Sequence, residues 1–417
     1  MTTPDTIARD AAHGKASRCQ TCPAAPATAP LAKGRRGVLT TAVIGLCALA
    51  LAACQPVARS ARGPAVTPGA PIQVALLVPG GSSSAGDDLV ARNLENAARM
   101  AASDLGGTVQ LRVYNTAANP SQAAAVAGQA VAEGAQIIVG PLHAQDANAA
   151  GHAVAASGIN VLSFSNNAEI AGGNVFILGQ TFQNTAGRLL RHAASQGRRN
   201  VVIVHDPDTA GQIGRRAIEE AAAASGMSVV GVESYELSQQ GVVAAVPQIA
   251  RTVQATGADV VFFTASTTGA LPMLTQLLRE NGVDPNVSIF MGLTRWDAPP
   301  GAVTSPALQG GYFARPDPGV TQQFESRYAA AYGQPPHALA ALAYDGVAAV
   351  GALAKSRRPD ALSARRLTQS AGFAGANGIF RLFPNGTNER ALAVAQIRDN
   401  QVQVIENAPK SFSGAGF

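Results

Sequence analysis

Beyond residue 54 the chain has no cysteine: Cys19, Cys22, Cys47 and Cys54 are the whole complement. No disulfide and no thiolate metal site can form in the remainder. Aromatic residues make up 5%, with a single tryptophan, so an aromatic-rich binding face is absent. Charged residues reach only 14% against 47% hydrophobic, which excludes a disordered chain. No apolar run attains the ~20 residues that a bilayer-spanning helix needs. Metal-binding spacing is also missing: His143, His152, His192, His205 and His337 are scattered, with no His-Glu-x-x-His among them. Neither a Gly-x-Ser-x-Gly elbow nor a glycine-rich phosphate loop follows any candidate strand, and His205-Asp206 has no nucleophile beside it. The sequence therefore predicts no catalytic residue, no metal and no cofactor.

Charge is unevenly placed. Of 31 basic and 26 acidic residues, Arg9, Lys15, Arg18, Lys33, Arg35, Arg36, Asp5 and Asp10 lie in residues 1–53, leaving 25 against 24 for the rest. The basicity belongs to the leader, and a nucleic-acid partner is not expected. Lys33-Gly34-Arg35-Arg36 precedes the uncharged apolar run of residues 38–53, the form of an export signal. The run ends in Leu51-Ala52-Ala53-Cys54, which resembles the lipobox of bacterial lipoproteins. That resemblance implies cleavage before Cys54, acylation of its sulfur and its new amino group, and a durable membrane anchor. Several acyl chains, at ~0.8 kcal/mol per buried methylene, hold where one is marginal. Gln55 after the cysteine implies the outer membrane by the same resemblance. Arg35-Arg36 also permits a twin-arginine signal. Cys19-Gln20-Thr21-Cys22 has redox or zinc half-motif spacing but precedes the signal and would be discarded with it. The long stretch ahead of the basic flank points to a translation start further downstream.

A length of 417 residues allows two or three domains. Residues 55–71 are rich in proline, glycine and alanine and read as a tether. Short β-branched runs then alternate with alanine-rich helical stretches. Strands are expected at 72–78, 109–114, 136–139 and 159–163, separated by helices near 85–105, 121–133 and 144–157. The cycle restarts with strands at 200–204, 227–234, 258–264 and 287–291 and helices near 211–225, 241–256 and 269–281. Near-continuous apolar strands separated by helices are the sequence form of a parallel sheet covered on both faces. Asn119-Pro120-Ser121 can open a helix, and Gly158 and Gly257 can close one. The last part reads as a strand at 310–314, helices near 320–332, 337–354 and 360–370, a hairpin around Pro384-Asn385-Gly386 and an alternating run at 391–405.

This order of elements resembles the type 1 periplasmic binding proteins of the leucine/isoleucine/valine-binding group. The resemblance rests on Val78-Pro79-Gly80, Ile138-Val139-Gly140-Pro141-Leu142, Val161-Leu162-Ser163-Phe164-Ser165, Phe290-Met291-Gly292 and Gly378-Ile379-Phe380 with Pro384-Asn385-Gly386. It implies an α/β fold of two doubly wound parallel-sheet lobes joined by a three-strand hinge, with crossings near residues 179–185, 311–316 and 376–380. The domains would be a leader at 1–53, a lipid-anchored tether at 54–71, a first lobe of 72–183 with 315–375, a second lobe of 184–314 with 376–407, and a flexible tail at 408–417. It also implies a small solute, an amino acid or related molecule, handed to a membrane permease. The chain is similar as well to lipoprotein activators of penicillin-binding proteins, through Gly140-Pro141-Leu142-His143 and Ser163-Phe164-Ser165-Asn166-Asn167. Those share the fold and dock on a peptidoglycan synthase at the periplasmic face.

In open α/β sheets ligands sit beyond the carboxyl ends of the strands, where helix-start N–H groups converge. That selects the loops at 79–86, 142–146, 163–167, 206–211 and 293–297. The candidate contacts are Ser82, Ser83, His143, Gln145, Ser163, Ser165, Asn166, Asn167, Thr294 and Arg295. Departures from the amino-acid-binding pattern are specific. His143-Ala144-Gln145-Asp146 stands where the family has a serine run for the ligand carboxylate, and Ala210 where an aromatic precedes Gly211. Leu293-Thr294-Arg295 stands where the family places the acid for the ligand ammonium. Asp297 takes that part only if its loop reaches. Arg295 and Trp296 are then available to a different ligand or a partner.

Overall fold

The computed structural model describes residues 64–412. The leader, Cys54, the start of the tether and the last five residues of the tail lie outside the described residues. Five apolar runs form the first sheet: β1 (Ile72–Val78), β2 (Val109–Asn115), β3 (Ile137–Val139), β4 (Val161–Ser163) and β5 (Val175–Ile177). They are all parallel, in the order β2-β1-β3-β4-β5. Between them run α1 (Ala85–Asp104), α2 (Pro120–Ala132) and α3 (Ala144–Val154). Successive strand residues point to opposite faces. Val74, Leu76 and Val78 therefore join one core with α1, while Ala75 and Leu77 join another with α2 and α3. Both faces are buried, which is why the strands read as unbroken apolar runs. Each fully buried valine or leucine contributes about 1.5–3 kcal/mol.

The helix ends follow from local chemistry. The Asn119 side chain accepts from the Gln122 N–H at 3.1 Å, with Pro120 at the first helical position. Gly158 and Gly257 end their helical turns in the left-handed region, at φ +69° and +57°.

After β5 the chain crosses to a second sheet through α4 (Phe182–Ser195), whose Thr181 and Asn184 form a reciprocal capping box. The parallel strands β6 (Asn200–His205), β7 (Ser228–Ser234), β8 (Val260–Phe263), β9 (Ile289–Gly292) and β10 (Tyr312–Arg315) follow. Helices α5 (Thr209–Ala224), α6 (Gln239–Thr256) and α7 (Leu271–Glu280) cover them. Val201 and Ile203 pack towards α4 and α5, and Val202 and Val204 towards α6 and α7. A second crossing returns the chain to the first core, where α8 (Pro318–Tyr332) and α9 (Ala340–Ala354) pack beside α1. A short helix, α10 (Ala364–Leu367), leads to the three-stranded antiparallel sheet β11 (Phe373–Gly375), β12 (Gly378–Leu382) and β13 (Asn388–Arg390). A third crossing then adds β14 (Ala393–Arg398) and β15 (Gln401–Glu406) to the second sheet, antiparallel to its neighbours. Two doubly wound sheets joined by three crossings are the architecture the sequence predicts.

Several elements differ from expectation. The first series does not close at β4, because the three-residue β5 adds a further edge strand beyond the Gly172-Gly173 turn. The helix expected at 360–370 shrinks to α10. Asp360 instead closes a turn onto the Ser363 N–H at 3.0 Å, and its carboxylate is taken by Arg358 and Arg366. The alternating run at 391–405 is a hairpin broken at Asp399-Asn400, both at positive φ (+53° and +59°), the requirement of a tight two-residue turn.

A buried polar knot lies where the chain leaves the first core for the last time. Asp345 on α9 is fully buried and Arg390 at the end of β13 nearly so; their Oδ2 and Nη1 atoms are 2.8 Å apart. Asp345 Oδ1 accepts from the Ala376 N–H at 2.6 Å. Arg390 Nε donates to the Leu178 carbonyl at 2.7 Å, and its guanidinium lies over the Phe380 ring at 5.0 Å. Burial pushes the Asp345 carboxyl above the usual range, and Arg390 opposes that shift. One residue pair thus ties α9, the β11–β12 turn and the crossing after β5. Removing one partner leaves an uncompensated buried charge, which costs about 3–5 kcal/mol. Asp345→Ala is expected to lose that much in urea denaturation, and Asp345→Leu with Arg390→Met to recover most of it. Wild-type stability in Asp345→Ala would contradict this role.

Candidate functional site

The carboxyl ends of both parallel sheets point their loops into a shared cleft. A cavity of about 570 Å³ lies there. His143 reaches it from the loop after β3, Ser165, Asn166 and Asn167 from the loop after β4, and Arg295 from the loop after β9. Leu142 and Phe164 line one side, and Leu339 and Leu342 from the start of α9 line another. A second cavity, of about 460 Å³, shares Asn166 and Asn167 and runs along α5, where Arg216 and Glu220 face it. Arg216 Nη2 reaches across to Glu169 Oε1 at 3.5 Å, an exposed ion pair that solvent screens.

The structure distributes the sequence-derived candidates unevenly. Ser163 is fully buried: its Oγ donates to the Pro141 carbonyl at 3.1 Å and accepts from the Ser165 N–H at 3.1 Å. It shapes the loop and presents no surface to a solute. Ser165 accepts from the Asn167 N–H at 3.1 Å, and Asn167 Oδ1 from the Glu169 N–H at 2.9 Å, so the polar turn is largely self-supporting. Asn166 is exposed. Ser82 donates to Asp87 Oδ2 at 2.9 Å, Ser83 is exposed, and neither borders the cavity. His143 Nε2 lies 3.5 Å from Asp87 Oδ1, which links the first two loops. Gln145 is exposed outside the cavity, and the Thr294 hydroxyl faces the Ala265 carbonyl at 3.4 Å. His205 turns its Nδ1 to the Asp206 carbonyl at 2.7 Å, and the Asp206 carboxylate is held by Tyr235 and Thr264. These are fold contacts.

The loop after β9 is anchored by a tryptophan. Trp296 was expected to be open to a ligand or partner; instead it is fully buried. Its indole fills a slot between Gly292 and Gly311, where an added Cβ would come within 2.1 Å and 1.6 Å of the ring. Any larger residue there would expel the indole and release the loop. Asp297, the conditional ammonium partner, is occupied. Arg295 donates from Nε and Nη2 to its two oxygens at 2.8 Å and 2.7 Å, and Arg315 Nη1 approaches at 3.1 Å. The carboxylate lifts the Arg295 guanidinium above its ordinary value, whereas burial lowers that of Arg315.

Two polar lining residues lie outside the sequence-derived candidates, Gln180 and Asn377, besides the apolar walls. Gln180 donates to Thr185 Oγ1 at 2.9 Å, and Asn377 Oδ1 accepts from Thr321 at 3.4 Å. Both lie in segments the sequence had marked as crossings, and a crossing must border the cleft it spans. That was the available signal. Among the described residues no helix is long and apolar enough to cross a membrane, and no histidine or carboxylate cluster could hold a metal ion.

The comparisons with known proteins agree with this geometry. No curated protein matches the chain. A putative branched-chain amino acid ABC transporter protein from Rhodospirillum rubrum superposes with a TM-score of 0.68 at 18% identity, covering 80% of this chain and 100% of its own. An ABC transporter substrate-binding protein from Desulfitobacterium hafniense, in complex with Leu, gives 0.58 at 22% identity over 80% of this chain and 99% of its own. A solute-binding protein from R. palustris, in complex with benzoate, gives 0.53 at 17% identity over 83% and 98%. A family model described as periplasmic binding protein matches residues 71–401. With two doubly wound sheets, three crossings and that match over most of its length, the chain belongs to the periplasmic binding protein family.

Proposed function

We propose that the protein is the non-enzymatic, solute-binding component of an ABC-type uptake system, lipid-anchored at the cell envelope through Cys54. The observation that carries the reading is the cavity of about 570 Å³ bordered by the loops after β3 and β4 and, from the second sheet, by Arg295. Its volume lies within the ~300–1,000 Å³ of small-molecule sites, and its mixture of apolar walls with a few convergent polar groups is the usual composition. Ligand contacts to both lobes favour a closed population over an open one, and a permease can read that difference. His143, Ser165, Asn166, Asn167 and Arg295 are the contacts, with Gln180 and Asn377 added. We draw the lobes as 72–183 with 315–390 and 184–314 with 391–407, moving the last boundary from 375/376 because Phe380 and Leu382 pack into the first core and the chain joins the second sheet only at β14. The relatives with leucine and benzoate support a small carboxylate-bearing solute. The reported relatives are described as transport proteins, which favours this reading over activation of a peptidoglycan synthase.

Binding to the native state alone stabilises it by about 2.7 kcal/mol at a hundredfold excess over Kd. A thermal-shift screen of amino acids, small amides and small organic acids is expected to raise the melting temperature of the purified protein by several degrees for at least one class. Asn166→Ala should reduce that shift. Silence across the screen would contradict a carrier site. For the anchor, Cys54→Ser is expected to abolish metabolic labelling with a fatty acid and to move the protein from the membrane to the soluble fraction. Retained labelling would contradict lipidation at Cys54.

A further inference from the structure

The polar chemistry of the main cavity has one sign. Among the described residues none that lines the cavity is an aspartate or glutamate, and Arg295, 40% exposed, is the one permanently charged member. The carboxylate paired with Arg295, Asp297, is only 7% exposed and held by two guanidinium groups. Buried and already neutralised by two guanidinium charges, it is a poor partner for an incoming cation. Asp87, behind His143, is engaged by that imidazole at 3.5 Å and by the Ser82 hydroxyl at 2.9 Å. Arg295 spends Nε and Nη2 on Asp297, and among the described residues its Nη1 has no protein partner. Glu325 on α8 is exposed and makes no ion pair with either arginine, so solvent screens it. Apolar walls from Leu142, Phe164, Leu339 and Leu342 complete the site.

An ammonium group moved into this cavity would lose its hydration without gaining a carboxylate, at a cost of several kcal/mol. A carboxylate would gain charge-assisted hydrogen bonds from Arg295 Nη1 and the neutral donors of Asn166, Asn167 and Gln180. We propose that the cleft selects a small monocarboxylate with an apolar body and no ammonium group, a branched-chain or aromatic acid rather than the corresponding α-amino acid. This rests on the reading of the cleft as a solute site.

Calorimetric titration of the purified protein with matched pairs tests it: 4-methylpentanoate against leucine, and phenylacetate against phenylalanine. The acid of at least one pair is expected to bind about tenfold or more tightly than its amino acid, the scale set by an unpaired ammonium. Arg295→Gln should weaken the acid. Because that change also strips Asp297 of a partner, Asn166→Asp supplies a second readout. Among the described residues the exposed Asn166 side chain has no hydrogen-bond partner, and an acid there should weaken the monocarboxylate and improve the amino acid. Tighter binding of the amino acid than of its acid in every pair that binds would overturn the proposal while leaving the solute site standing. So would amino-acid binding that vanishes in Glu220→Gln, which would place the ammonium in the second cavity. No binding by any member of either pair, in a protein that other solutes stabilise, would overturn it as well; no binding by any solute would remove the underlying reading too.

Discussion

The buried ion pair between Asp345 and Arg390 holds together the segments of the first core from which the chain makes its last crossing. It lies at the point where α9, the β11–β12 turn and the crossing after β5 meet, and it engages one group on each. Around it, Asn388 Nδ2 donates to the Ile177 and Gly179 carbonyls at 2.7 Å and 2.8 Å, and Asn184 Nδ2 donates to the Asn388 carbonyl at 2.9 Å. Crossing backbone cannot satisfy its polar groups within either sheet, so side chains from the neighbouring elements do it instead. A buried pair of this kind adds little net stability over an apolar substitute, although losing one partner alone is costly. Here the pair fixes where the last crossing leaves the first core.

From that fixed point the site follows by topology. Two parallel sheets direct the carboxyl ends of their strands at each other, so their loops meet in one cleft. The loop after β4 is held by its own serine and asparagine side chains, and the loop after β9 by the indole of Trp296 seated between two glycines. Both rims are therefore preorganised, which spares a ligand the cost of ordering them. The cavity floor inherits its charge from the same loop: the anchoring of Trp296 places Arg295 and Asp297 together, and Arg315 at the end of β10 completes the cluster.

Most of the sheet architecture was legible because strands buried on both faces leave unbroken apolar runs, and Asn119, Gly158 and Gly257 mark helix ends by local chemistry. What escaped was short or decided at long range. The edge strand β5 has three residues and follows an irregular loop, too little for any periodicity to register. Asp399-Asn400 lacks the glycine that usually betrays a tight hairpin turn. In the site, the polar loop after β4 was recognisable, but the sequence could not distinguish the buried Ser163 from the cavity-lining Ser165, since only pleat and loop direction separate them. Likewise nothing near Trp296 announces that Gly292 and Gly311, nineteen positions apart by number, form its slot. The pairing of Asp345 with Arg390 spans 45 residues and carries no local signal at all.

Under the proposed function the two halves approach each other around a solute held at their shared rim. Small-angle X-ray scattering of the purified protein, alone and saturated with the solute that stabilises it most, tests that claim most directly. A smaller radius of gyration and a shorter maximum dimension are expected in the bound state. Superimposable scattering curves at saturation would contradict it.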